Sequence, residues 1–191
     1  NGSPREGGNT EILCRAALEP LEAAGVETEY LRIGGKAVHG CVACGWCFKN
    51  PDEKRCVFDD DPINACIAKM MDADGVLLAS PTYFADCTTE MKALIDRAGF
   101  VGMAAGRCFR RKLGAAIVAV RRAGAIHVFN TINHFFLIHE MLVVGSIYWN
   151  LGIGREIGEV RDDEEGLRTM THIGENMAWA LEKLGQTASD G

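Results

Sequence analysis

Basic residues are in deficit in this chain, and long apolar runs, repeats and linkers are missing from it. Lys and Arg number 20 against 26 Asp and Glu, a formal net charge of −6, and the pI is near 5.4. A broad nucleic-acid surface needs a basic field to neutralise phosphates, so this balance argues against nucleic acid as a partner. The few basic clusters, Arg107-Cys108-Phe109-Arg110-Arg111-Lys112 and Arg121-Arg122, suit local anion sites or solvated turns. No uninterrupted apolar run reaches the roughly 20 residues that span a bilayer, so no membrane partner is expected. The opening residues Asn1-Gly2-Ser3-Pro4-Arg5 put no apolar stretch behind a basic start, so no secretory signal is visible and a cytoplasmic location is expected. No repeat, low-complexity tract or linker precedes the polar tail from Gln186 to Gly191, which reads as frayed. What is present is 191 residues, 48% hydrophobic and 24% charged, enough for one soluble domain over 1–191 with a sizeable core.

Cysteine, by contrast, is plentiful. Eight cysteines without a secretion signal point to a reducing compartment, where thiols are kept for chemistry or as small core residues. Cys14, Cys66, Cys87 and Cys108 stand alone and read as the latter. Cys41, Cys44 and Cys47 follow a C-x2-C-x2-C spacing closed by Cys56 eight residues later. Each two-residue gap turns the next sulfur back toward the same point, so the run can wrap one small inorganic centre. It is similar to the cysteine run of bacterial ferredoxins, whose last gap is shorter. Structural zinc more often uses two separated C-x2-C pairs, of which only one is present, and plain thiols or a disulfide stay open as well.

Apolar periodicity alternates between two kinds of element. Thr10 to Ala24 has helical spacing with Asn9 or Thr10 as a cap, and Pro20 near its end should bend or shorten it. Val26 to Ile33 alternates as a strand. Asp61-Pro62 opens a helix through Met71. Gly75 to Ser80 and Leu113 to Val120 are continuous apolar runs, as expected of strands covered on both faces. Thr88 to Arg97 and Ile126 to Glu140 read as helices, Leu142 to Ile147 as a strand, and Asp163 to Leu184 as a long closing helix. The alternation predicts an α/β, doubly wound parallel sheet with helices on both faces.

Ligands of such folds bind where loops leave the carboxyl ends of the strands, which selects residues 1–10, 80–87 and 121–125. The first loop leads straight into a helix. Its N–H groups, the Ser3 and Thr10 hydroxyls, the Asn9 amide and Arg5 form a cradle suited to one phosphate dianion, although turn and cap preferences alone also place Ser, Asn, Thr and Gly before helices.

Four segments carry a family resemblance. Asn-Gly-Ser-Pro-Arg with Gly-Asn-Thr following, Ser80-Pro81-Thr82-Tyr83-Phe84, the Cys41 to Cys56 loop ending in Asp59-Asp60-Asp61, and Gly145-Ser146-Ile147-Tyr148-Trp149-Asn150 together resemble the NADPH-dependent FMN reductase superfamily over nearly the whole chain. Within it, the cysteine loop resembles the iron-sulfur flavoprotein branch. The resemblance implies a flavodoxin-like five-stranded sheet of order 2-1-3-4-5, FMN as prosthetic group, and homodimers or homotetramers. It also implies an apolar strand directly before the Asn-Gly-Ser loop. The chain begins inside that loop, so the first strand is expected to be missing from the sequence, with the cysteine loop 41–56 inserted after the second strand.

Carried over by resemblance, Ser3, Arg5, Asn9 and Thr10 take the FMN phosphate, and Pro81, Thr82, Tyr83 and Phe84 line one edge and face of the isoalloxazine. Arg121, Arg122 and Gly124 leave the next strand at the same rim, where positive charge or N–H groups would favour the anionic reduced flavin; a solvated basic turn is the alternative. In the same reading Cys41, Cys44, Cys47 and Cys56 hold a [4Fe–4S] cluster between FMN and a partner, with a neighbouring subunit's flavin close by. Lys49, Lys54 and Arg55 would offset its negative charge, although such residues are equally ordinary in a solvent-facing loop.

The function that follows is an FMN-dependent oxidoreductase passing electrons from NAD(P)H or a reduced carrier to a small-molecule or protein acceptor. Hydride transfer to flavin requires no protein acid or base, so no catalytic side chain is assigned. A cluster-free NAD(P)H-dependent FMN or quinone reductase is the alternative, and a non-enzymatic flavodoxin-like module with a zinc-binding cysteine loop is the second. His39, and His127 and His134 seven apart on one helix, read as ordinary surface or hydrogen-bonded residues. Residues 129–144 are apolar around most of a helical circumference, which an oligomer interface or deep core would explain.

Overall fold

Two stretches without a charged residue form the centre of the sheet. The computed structural model describes residues 1–189, so the last two residues of the tail read as frayed lie outside the described residues. Strand β1 (Gly75–Pro81) and strand β2 (Leu113–Val120) pair in parallel, with Gly75 opposite Leu113 and Pro81 opposite Ala119. Every residue of β2 is buried, as an uncharged run covered on both faces requires.

Helix α1 (Asn9–Ala23) precedes the short helix α2 (Trp46–Lys49), a 3-10 turn at Pro51–Glu53 and helix α3 (Ile63–Asp72). Helix α4 (Thr89–Ala104) carries the chain from β1 to β2, and α5 (Ala125–Ile138) carries it from β2 to β3 (Leu142–Val143). Strand β4 (Leu151–Ile153), a 3-10 turn at Glu159–Asp162 and helix α6 (Glu164–Ser189) complete the order. One face of the sheet packs on α1 and α6 through Leu13, Ala17, Ile117, Met170 and Ile173. The other packs on α3, α4 and α5 through Ile63, Ile67, Leu94, Val118, Ile132 and Phe136. The doubly wound arrangement expected from the apolar runs is therefore present.

Among the described residues the ladder has four strands, where the resemblance implies five with the first missing from the sequence. Residues 26–33, expected as a strand, form extended chain without a ladder. The Asn1 amino group donates to Leu31 O at 2.7 Å, Ile33 N–H donates to Asn1 O at 2.9 Å, and Gly2 N–H donates to Ala79 O at 2.8 Å. Asn1 and Gly2 thus lie between this segment and β1, in the place of the expected central strand, and two residues are too few for a ladder. The far edge, expected as a strand over 142–147, is split. β3 pairs with Leu113 and Gly114, β4 pairs with Val118 to Val120, and residues 144–150 loop out between them.

Helix α4 extends to Ala104 instead of ending at Arg97. Gly99 and Gly102 look like helix breakers in the sequence. A Cβ on Gly102 would lie 2.6 Å from the Phe109 ring and 3.0 Å from His139, so this glycine admits a core contact rather than ending the helix. Helix α6 runs through Ser189, so residues 186–189 are helical rather than frayed. Helix α5 buries Val128, Ile132, Phe135 and Phe136 on one side, while Leu137 and Ile138 at its end are exposed.

Candidate functional site

The first loop is held by its own side chains and by Thr88 at the start of α4. Asn1 Oδ1 accepts from Ser3 N–H at 2.7 Å, Ser3 Oγ accepts from Arg5 N–H at 3.3 Å, and Thr88 Oγ1 donates to Gly2 O at 2.9 Å. Helix α1 then starts with Gly8 at its cap and no side-chain cap. Its first-turn N–H groups therefore have neither an intrahelical acceptor nor a capping oxygen, the condition under which a helix start attracts an anion. Thr10 Oγ1 in that turn is buried without a hydrogen-bond partner. Glu11 limits the cradle on one side, where its carboxylate accepts from Gly7 N–H at 3.0 Å.

Sequence reasoning missed a fourth loop because it missed β4. Residues 154–160 close over the start of α1. Arg5 Nη1 donates to Arg155 O at 3.2 Å, Asn9 Nδ2 donates to Glu156 O at 2.9 Å, and Gly158 N–H donates to Asn9 Oδ1 at 2.9 Å. The side chain of Asn9 is thus engaged within the chain. Glu159 accepts from the Arg155 and Glu156 N–H groups, each at 2.7 Å, and these bonds hold its pKa below the ordinary carboxylate value.

After β1, Tyr83 and Asp86 exchange backbone hydrogen bonds at 2.8 and 3.0 Å. The two residues between them, Phe84 and Ala85, have φ of +48° and +61°. Such a turn prefers glycine or asparagine, so the site holds two side chains in a costly conformation. Phe84 stands wholly in solvent and Tyr83 is exposed, whereas Thr82 Oγ1 is buried without a partner. The loop after β2 meets this turn. Gly124 has φ +90°, and a Cβ there would lie 3.0 Å from Ala85 Cα and 3.2 Å from Thr82 Cγ2. Arg121 and Arg122 are exposed beside it. Two of the three predicted loops thus touch, and the orphaned Thr82 and Thr10 hydroxyls mark chemistry that needs an external acceptor or donor. That donor set suits a phosphate and the polar rim of a flavin.

The four motif cysteines share one cavity of about 260 Å³, lined also by Val42, Trp46, Phe48, Arg97 and Phe100. Ala43 at φ +53° and Gly45 at φ +69° turn the chain back on either side of Cys44. Cys47 has its pKa pushed up, first by burial and further by the nearness of Cys56 and Cys41. Four thiols on the mainly apolar wall of one cavity fit a thiolate-ligated centre by donor chemistry. Among the described residues, however, no group of three or more His, Cys, Asp or Glu side chains is drawn to metal-binding distance. None of the eight cysteines is in a disulfide.

Arg97, which the sequence reading left unassigned, and Asp61, which it read as the opening of a helix, anchor this loop. Arg97 and Asp61 form an ion pair with side chains 0% and 2% exposed. Burial would raise the Asp61 carboxyl, but hydrogen bonds from Arg97 and from the His39 and Ile63 N–H groups outweigh it and hold the pKa below its usual value. His39 stacks on Phe58 at 4.8 Å. His127 and His134 are exposed on α5, in keeping with ordinary surface residues. No helix among the described residues is long and apolar enough to cross a membrane.

A parallel sheet covered on both faces, with loops gathered at the carboxyl ends of β1, β2 and β4, defines a flavodoxin-like protein. The crystal structure of a flavodoxin, WrbA-like protein from Agrobacterium tumefaciens matches with a TM-score of 0.61 at 15% identity, over 94% of this chain and 93% of that one. The family described as NADPH-dependent FMN reductase matches residues 1–156, and the chain belongs to that family of FMN-dependent oxidoreductases. An iron-sulfur flavoprotein of Methanocaldococcus jannaschii is 35% identical over 185 residues, covering 93% of each chain. One from Methanosarcina thermophila is 32% identical over 192 residues, covering 96% of this chain and 94% of the relative.

Proposed function

We propose that this protein passes electrons from NAD(P)H or a reduced carrier through FMN to a one-electron acceptor, with Cys41, Cys44, Cys47 and Cys56 holding a [4Fe–4S] cluster. The observation that carries the reading is the shared cavity of the four thiols, lined by the same loop in a chain of the FMN reductase family. The relatives named as iron-sulfur flavoproteins support it.

Flavin and cluster together would supply hydride acceptance at one end and single-electron release at the other. The chain's own residues bind and orient. Ser3, Arg5, Thr10 and the first N–H groups of α1, including that of Asn9, are assigned to the FMN phosphate. Thr82 offers its hydroxyl to the flavin rim, and Pro81, Tyr83 and Phe84 offer apolar surface. Since Thr82 N–H donates to Ala119 O and Tyr83 N–H to Asp86 O, amide contacts from this turn fall to Phe84 and Ala85. Gly124 lets the Arg121 and Arg122 loop approach the same rim. The exposed Leu137, Ile138, Leu142, Tyr148 and Trp149 favour assembly into a homodimer or homotetramer in the cytoplasm.

A cluster-free FMN reductase is the second reading, favoured by the separation of the thiols from metal-binding distance. The visible spectrum and metal content of protein purified without oxygen decide between them. Two flavin bands with a broad shoulder bleached by dithionite, and iron present, are expected. Flavin without iron would leave the reductase alone, and a colourless zinc protein would sink both.

A further inference from the structure

The Arg97 side chain is wholly buried on α4, yet every partner it has belongs to the cysteine loop or to Asp61 beside it. Nη1 donates to the Asp61 carboxylate and to His39 O, the latter at 3.2 Å. Nη2 donates to Phe58 O at 2.7 Å. His39 lies two residues before Cys41, and Phe58 two residues after Cys56. One side chain on a rigid helix therefore clasps both limbs of the loop where they enter and leave. Arginine suits this task because its planar fork fixes several acceptors at once, which a lysine ammonium cannot do.

Nε is the one guanidinium nitrogen without a hydrogen-bond partner, and it is buried. Folded proteins seldom leave a buried N–H unmatched, because such a donor loses water and gains nothing. Arg97 lines the cavity of the four cysteines, whose remaining wall is chiefly apolar. The cysteine sulfurs are among the acceptors of that lining. We propose that Arg97 is the positioning residue of the cysteine cavity, clasping residues 39 and 58 with its two terminal nitrogens and donating its Nε–H to a cysteine sulfur once that sulfur is a metal-bound thiolate. This rests on reading the cavity as a metal site. Asp61 balances the charge of the guanidinium, so its distinct effect on the centre comes from the directed N–H. A hydrogen bond to a ligand sulfur favours the more negative, reduced form and raises the reduction potential.

Arg97→Lys keeps a positive charge beside Asp61 and removes the fork and the Nε–H. In holoprotein reconstituted anaerobically with iron and sulfide, the expected result is unchanged FMN content and a reduction equilibrium of the iron chromophore shifted at least tenfold toward the oxidised form, 59 mV for one electron. In the metal-free protein, affinity for Co²⁺, read from its thiolate charge-transfer band, should weaken about tenfold or more. An unchanged iron potential overturns the sulfur bond, and unchanged Co²⁺ affinity overturns the positioning role. If Arg97→Lys does not fold, the paired variant Arg97→Gln with Asp61→Asn removes both buried charges together and is read in the same two ways. Wild-type protein that takes up no iron would defeat the cluster reading alone, and the Co²⁺ comparison would then decide the role of Arg97.

Discussion

Asn64 brackets Cys56: its Oδ1 accepts the Cys56 N–H at 2.9 Å and its Nδ2 donates to the Cys56 carbonyl at 3.0 Å. The same Nδ2 reaches Phe58 O at 2.9 Å and Asp59 Oδ1 at 3.0 Å. The fourth cysteine is thereby fixed from α3, a rigid element outside its own loop. This placement answers the weakness of the eight-residue gap in the motif. Spacing alone no longer has to set the position of Cys56 when a neighbouring helix holds it on the wall of the shared cavity.

Replacing Asn64 by Ala should therefore loosen Cys56 and little else. The expected cost is about 1–3 kcal/mol of stability, the usual penalty for part-buried groups left without partners. Iron per FMN should fall while FMN per chain stays constant. Elemental analysis beside the flavin absorbance measures both, and iron retention equal to wild type would refute the anchoring role.

Thr10→Val tests the phosphate cradle with little change of shape. The Thr10 hydroxyl is buried and has no partner within the chain, so its loss removes no internal bond. Thermal stability without FMN should hold or rise. Affinity for FMN, followed by quenching of flavin fluorescence on titration into the FMN-free protein, should weaken about tenfold, or roughly 1.4 kcal/mol, as for a hydrogen bond to a charged group. Equal affinity would remove Thr10 from the site.

Gly34→Ala should be far more harmful than an alanine on an exposed turn. A Cβ at Gly34 would lie 2.1 Å from both the carbonyl carbon and the oxygen of Ser3, backbone atoms that have no rotamer to escape into. The loop from Ser3 to Gly8 must shift, so FMN should be lost or bound at least tenfold more weakly. Gly25→Ala is the comparison, because its Cβ meets nothing within 4 Å and only its φ of +82° is strained. If the two variants bind FMN alike, the close approach at Ser3 has no functional weight.

The central strands and the helices covering them were legible in the sequence because uncharged runs and apolar periodicity report burial directly, whereas the cap expected of Asn9 or Thr10 falls to Gly8, since both residues already lie inside α1. The glycines were not. Gly102 reads as a breaker in one dimension, and only the Phe109 ring beside it reveals a packing role. The edge strand was misread because Leu142 to Ile147 looks equally apolar whether paired or looped out. Without β4, nothing pointed to the loop that engages Asn9. The cysteine motif marked the four residues that line one cavity, but Arg97 and Asp61 act across 36 residues of sequence, and an arginine amid helical residues gives no sign that it is buried.

Stability should fall on mild acidification, and His139 is the cause to test. Its ring is fully buried against Phe109 and Phe135, with neither nitrogen hydrogen-bonded. Burial first, and the nearby Arg107 charge second, push its pKa below the ordinary 6.5. The folded state therefore resists a proton that the unfolded chain accepts. Above pH 6.5 both states are neutral and nothing is lost. As pH falls through 6.5 toward the lower folded value, the unfolded state gains the proton and stability declines. Urea unfolding at pH 8 and pH 5.5 should show this loss in the wild type, and His139→Leu should abolish most of the difference. An equal decline in the variant would assign the pH dependence to other groups.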